Sequence, residues 1–205
     1  MSVLGELQPN KVFKYFEEIC SIPHGSRNLQ QISDYLVDFA KAHELKYRQD
    51  EDLNVIIWKD GSKGYEASEP VILQGHMDMV AVKEADCDKD MEKEGLDLEI
   101  NGDYISAKGT SLGGDDGIAV AYTLAVLDDE EMAHPPIEAI FTVNEEIGML
   151  GAATIDVSDL KGRLFMNMDS EDETCPWSLQ KFLLPYRIIL PHFSVFSQGT
   201  VCFFQ

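Results

Sequence analysis

Apolar residues recur at helical spacing twice near the start of the chain, with Val12, Phe13, Phe16 and Ile19 on one face and Leu29, Ile32, Leu36 and Phe39 on another. The second stretch is opened by Asn28 with Gln31 three residues on, the capping-box arrangement, so two amphipathic helices are expected. After them the period changes. Short β-branched and apolar runs read as strands: Val55 to Trp58, Val71 to Leu73, Tyr104 to Ala107, Ala139 to Val143 and Leu164 to Met166. Between the third and fourth, Gly117 to Leu127 is rich in Ala, Ile, Val and Leu and lacks Pro, which suits a helix buried all round. Strands alternating with helices predict an α/β fold built on a layered, largely parallel central sheet.

With 44% hydrophobic and 26% charged residues over 205 positions, the chain has the make-up of one soluble globular domain, long enough for a real core. Its 37 Asp and Glu against 16 Lys and Arg leave a net charge of −21, which would repel nucleic acid and anionic membrane alike. The four cysteines show no metal-finger spacing, and neither a signal peptide nor a membrane span is legible, so a cytoplasmic location is expected. Charge is unevenly spread. Residues 174–205 contain no Asp or Glu and only Lys181 and Arg187, yet hold five of the ten Phe. Two units are therefore expected: residues 1–173, and an atypical tail, 174–205, whose pattern reads like a shifted reading frame or an unrelated terminal exon.

In an α/β sheet, ligands bind beyond the carboxyl ends of the strands. Here those positions carry His76 and Asp78, then Asp115 and Asp116, then Glu145 and Glu146, and finally Asp169. Each piece alone has an ordinary reading: a surface pair, a helix first turn, a solvated acidic loop. Together they do not, because an imidazole and several carboxylates at one sheet edge repel unless cations sit among them. One His with carboxylates and no thiolate suits Zn²⁺, Mn²⁺ or Co²⁺, and more than three carboxylates suggests two ions sharing a bridging ligand.

The stretches Gly75-His76-Met77-Asp78-Met79-Val80, Gly109 to Gly117, Glu145-Glu146-x-Gly148-Met149 and Met168-Asp169-Ser170-Glu171 resemble the aminoacyl-histidine (cytosolic non-specific) dipeptidases over about residues 3–173. These are co-catalytic zinc metallopeptidases related to carboxypeptidase G, aminoacylase and peptidase T. The resemblance implies that His76, Asp115 and Asp169 hold one zinc, that Asp115 bridges to a second, and that Glu146 binds the second. It further implies that Asp78 orients His76, that Glu145 is the general base acting on the water that attacks a dipeptide, and that the Asp115–Asp116 peptide is cis. The family's lid and dimerisation segment, and a downstream histidine completing the second site, have no counterpart here, and His192 in the tail sits in no matching motif. The second site is thus expected to be incomplete, hydrolysis impaired and the family's homodimer contact missing. Two alternatives stand beside this one: a catalytically inactive metal-binding fragment or interaction module, and a tripeptidase or amidohydrolase of the same superfamily.

Overall fold

The computed structural model describes residues 2–169 and the backbone of 203–204. The rest of the expected tail, with His192, lies outside the described residues.

Four helices are present among them: α1 (Asn10–Cys20), α2 (Gln30–Ala42), α3 (Gly114–Leu127) and the short α4 (Leu150–Thr154). The strands are β1 (Lys46–Gln49), β2 (Val55–Lys59), β3 (Val71–His76), β4 (Leu98–Asn101), β5 (Tyr104–Ala107), β6 (Ile137–Thr142), β7 (Leu164–Asn167) and β8 (Phe203–Phe204). The periodicity is realised as expected, since α1 buries Val12, Phe13, Phe16 and Ile19 and α2 buries Ile32, Leu36 and Phe39. The two helices meet where the Tyr15 and Phe39 rings pack edge-on at 5.5 Å. The capping box does not form. Leu29 occupies the N-cap of α2 with no side-chain bond, and the Asn28 amide donates instead to the Glu92 carbonyl at 2.9 Å.

Five strands make the central sheet in the order β1-β2-β6-β3-β7. Its parallel part runs from β6 through β3 to β7, while β1 and β2 join antiparallel, so the sheet is mixed rather than largely parallel. Residues 46–59 form an antiparallel pair, and that pair adds to the distant β6 in the reverse sense. A second correction concerns the 104–107 strand, which pairs with β4 and β8 in a separate sheet. Only three of the four chemistry-bearing strand ends therefore share one sheet edge.

Alternation along the strands sorts the side chains. Val55 and Ile57, Leu73, and Ala139 and Phe141 join the main core with α1, α2 and α3. The sequence between Gly117 and Leu127 is apolar all round because α3 packs against α1 as well as β3 and β6. Phe16 and Phe141, fully buried, are each worth about 1.5–3 kcal/mol over exposure to water. On the other face lie Ile56, Ile72, Ile140 and Glu138. Glu138, 3% exposed, is satisfied by accepting the backbone N–H groups of Lys161 and Gly162 at 2.8–3.0 Å. Among the described residues no helix is long and apolar enough to cross a membrane.

Candidate metal centre

The carboxyl ends of β6, β3 and β7 lie side by side, with β3 in the middle. Pairing continues past the strands: Met77 N–H donates to the Thr142 carbonyl at 2.9 Å, and Met168 N–H to that of Gln74 at 3.3 Å. His76, the last residue of β3, is thereby set between the Glu145–Glu146 loop on one side and the Asp169 loop on the other.

The site has two tiers. The lower one is buried: His76, Asp78 and Asp116 are each 1–2% exposed. His76 Nδ1 lies 2.9 Å from the Asp78 carbonyl and 3.6 Å from its Oδ1, so this edge of the ring faces Asp78. The Asp78 carboxylate accepts the Glu145 N–H at 3.0 Å and the Ser26 hydroxyl at 2.8 Å. Burial alone would raise its pKa, but the His76 ring, the Glu145 N–H and the Ser26 hydroxyl together hold it below the usual carboxylate value. The upper tier faces solvent. His76 Nε2 is 3.2 Å from Asp115 Oδ1 and 3.9 Å from Glu145 Oε2, and the Asp115 side chain is 68% exposed.

His76, Asp115 and Glu146 each present a ligand atom within 4.8 Å of the others, and they are the group among the described residues that could hold a metal ion. Burial would depress the imidazole pKa, but hydrogen bonds to Asp115 and Asp78 and the charge of Asp116 lift it to about 11. Glu145 is pushed above the ordinary glutamate value by burial, aided by Asp169, and Glu146 by burial, aided by Asp115. Excess negative charge around one imidazole is the environment a divalent cation relieves, so this donor set fits such an ion. Asp169 lies outside the compact group, yet its charge reaches both Asp116 and Glu145.

Local backbone makes this placement possible. The Asp115–Asp116 peptide is cis, as expected, and both residues depart from helical angles at the start of α3. Asp115 reaches the site from that kink and not from the central sheet. Gly113, at φ 68°, sits where a side-chain carbon would be 2.7 Å from the Met79 sulfur, so the turn before the kink requires glycine.

The sequence reading passed over two residues here. Asp116, with burial raising its pKa far above the ordinary value, accepts the His76 backbone N–H at 3.0 Å on Oδ2. The paired Asp-Asp was a signal for it. Ser26 carried none, because nothing in Pro23-His24-Gly25-Ser26 foretells a contact 52 residues away. His24, in the same loop, is 2% exposed.

No protein-family model matches the chain. It is 40% identical over 173 residues to the cytosol non-specific dipeptidase of Escherichia coli, covering 84% of this chain and 36% of that one. The structure of aminoacylhistidine dipeptidase from Vibrio alginolyticus superposes with a TM-score of 0.80 at 40% identity, over 83% of this chain and 35% of its own. A Bacillus cereus aminopeptidase, PepT, shares the fold at a TM-score of 0.68 and 21% identity, over 81% and 44% of the two chains. The chain is thus a homologue of the aminoacyl-histidine and cytosol non-specific dipeptidases, and spans about a third of the length of these relatives.

Proposed function

We propose that this chain carries the metal-holding and proton-transferring part of a metallo-dipeptidase, with small peptides, Xaa-His among them, as substrates in the cytoplasm. The observation that carries the reading is the convergence of His76, Asp115 and Glu146 within 4.8 Å at the carboxyl ends of the parallel strands of the mixed sheet. The 40% identity to a dipeptidase supplies the substrate class.

His76, Asp115 and Asp169 would hold one divalent ion, with Asp115 shared with a second that Glu146 holds. Register supports Asp169: Gln74 pairs with Asn167, and two residues further on His76 comes level with Asp169. Zinc suits the donors, with manganese or cobalt as alternatives. When bound, the metal supplies Lewis-acid stabilisation of the charge developing on the scissile carbonyl. The chain's own residues do the rest. Asp78, held by Ser26 and the Glu145 N–H, keeps the His76 ring in one orientation. Glu145, its pKa raised above the ordinary glutamate value by burial, takes the proton of the attacking water and delivers it to the leaving amine. Asp116 fixes the end of β3 through the His76 N–H.

Zinc content and Xaa-His hydrolysis of the purified 205-residue chain test this. His76→Ala and Asp169→Ala should lose zinc, whereas Glu145→Gln should retain it and lose whatever turnover the parent shows. Among the described residues the second ion has only carboxylates, Asp115 and Glu146, so one zinc is expected to bind more tightly than two. Equal metal loss in Glu145→Gln and Asp169→Ala would overturn the roles. Bound zinc without hydrolysis of dipeptides, tripeptides or N-acyl amino acids would leave the metal-binding module as the function.

A further inference from the structure

The connection between α1 and α2 runs directly beneath the site. Gly25 forms a parallel bridge with Met79, Met79 N–H donates to the His24 carbonyl at 3.2 Å, and Ser26 N–H returns a bond to Met79 at 3.2 Å. This approach needs Gly25, where a side-chain carbon would stand 2.7 Å from Ala81 Cβ. One residue on, Arg27 N–H donates to Asn144 Oδ1 at 2.8 Å. The segment 24–27 therefore straps the loop after β3 to the loop after β6, with Ser26 pinned by its backbone opposite Asp78.

We propose that Ser26 is a positioning residue for the metal centre, acting through Asp78. Its hydroxyl donates to Asp78 Oδ2 at 2.8 Å while the Glu145 N–H occupies Oδ1 at 3.0 Å. One donor on each oxygen fixes the rotation of a carboxylate that is 1% exposed, and so fixes which oxygen stands 3.6 Å from His76 Nδ1. Without the hydroxyl, Oδ2 is a buried acceptor with no protein donor, and the carboxylate turns to share the Glu145 N–H. The imidazole then loses the partner that sets its orientation and basicity, which in metal sites typically costs 10- to 100-fold in affinity.

This rests on the metal-centre reading above, and the test separates the two. Zinc affinity of the full 205-residue chain is measured by competition with a chromophoric chelator, and the cobalt(II) visible spectrum reports ligand geometry. Ser26→Ala should bind zinc roughly 10-fold more weakly with an altered cobalt spectrum, and Ser26→Thr, which keeps the hydroxyl, should restore both. In an Asp78→Asn background, Ser26→Ala should cause no further loss. Wild-type affinity in Ser26→Ala, or a loss that adds in full to that of Asp78→Asn, would overturn the proposal. Unchanged zinc affinity in His76→Ala would instead overturn the metal-centre reading.

Discussion

Gly75 is the most informative single position to perturb, because it joins the packing of the core to the geometry of the site. It lies on β3 immediately before His76 and faces the start of α3. A methyl group there would stand 2.8 Å from Asp116 Oδ2 and 3.2 Å from Ala119 Cβ, the first closer than real side chains tolerate. β3 cannot yield, since it is hydrogen-bonded to β6 on one side and β7 on the other. The first turn of α3 must move instead, and with it the Asp116 carboxyl that receives the His76 N–H at 3.0 Å. Overpacking of this kind costs about 1–3 kcal/mol, and a buried N–H stripped of its acceptor about 1–3 kcal/mol. The two share one displacement, so we expect a combined loss near 3 kcal/mol, reduced by about 0.4–1 kcal/mol because alanine restricts the unfolded chain. Gly75→Ala should then be about 2–3 kcal/mol less stable in urea unfolding and melt about 4–12 °C lower. Zinc affinity should fall with it. Gly102→Ala is the control, since its φ of 65° imposes a backbone cost but no neighbour lies within 4 Å, so it should leave zinc affinity unchanged. A Gly75→Ala protein within about 0.5 kcal/mol of wild type would refute the claim that α3 and β3 are locked at this point.

Asn54, 1% exposed, accepts the Val143 N–H and donates to Asp50 and the Gly151 carbonyl, so Asn54→Ala should cost about 2–4 kcal/mol in denaturant unfolding. Because Val143 leads into the Glu145–Glu146 loop, the same variant should weaken zinc binding. At the other end of the chain, burial would raise the Glu17 pKa, but the Ser2 hydroxyl and the Val3 and Leu4 N–H groups bring it below its ordinary 4.5. A depressed folded pKa gives a contribution fully present above 4.5 and lost as pH falls through the lower folded value. Amide chemical shifts of Val3 and Leu4, followed by NMR during an acid titration, should therefore hold steady down to pH 4.5 and move only below it.

What could be read from the sequence was what is encoded in local period. The helices over 12–19 and 29–39 and the cores of β2, β3, β5, β6 and β7 all show it. β1 escaped because Lys46-Tyr47-Arg48-Gln49 is an edge strand, and edge strands carry charge in place of apolar alternation. β4 was legible in principle, since Asn101-Gly102 is a hairpin signal and Leu98 and Ile100 alternate before it. The sheet's mixed sense was not, because strand direction depends on which strand β2 meets, and that partner lies some eighty residues away in sequence. For the site, placing chemistry after strand ends singled out His76, Asp78, Glu145, Glu146 and Asp169, of which His76 and Glu146 join Asp115 in the compact group. The same rule put Asp115 on the central sheet, when it arrives from the kink that opens α3. Asp116 was visible only as half of the Asp-Asp pair, its role as acceptor of the His76 N–H being set by the fold, and Ser26 meets a carboxylate brought near by folding that no motif marks.

The brace around Asp78 also bears on the order in which the molecule assembles. Ser26 and Asp78 are 52 residues apart, Asp78 and Glu145 67, His76 and Asp116 40, and Arg27 and Asn144 117. No contiguous stretch of chain contains even a weak version of the site, and contacts of such long range close late in folding. The proposed affinity for metal would therefore be a property of the completed topology, and a partly folded or nicked chain would have little of it. By mass action a ligand present at a hundred times its dissociation constant then adds about 2.7 kcal/mol to the native state alone, so the ion would act as a latch on a finished fold rather than a seed for an unfinished one.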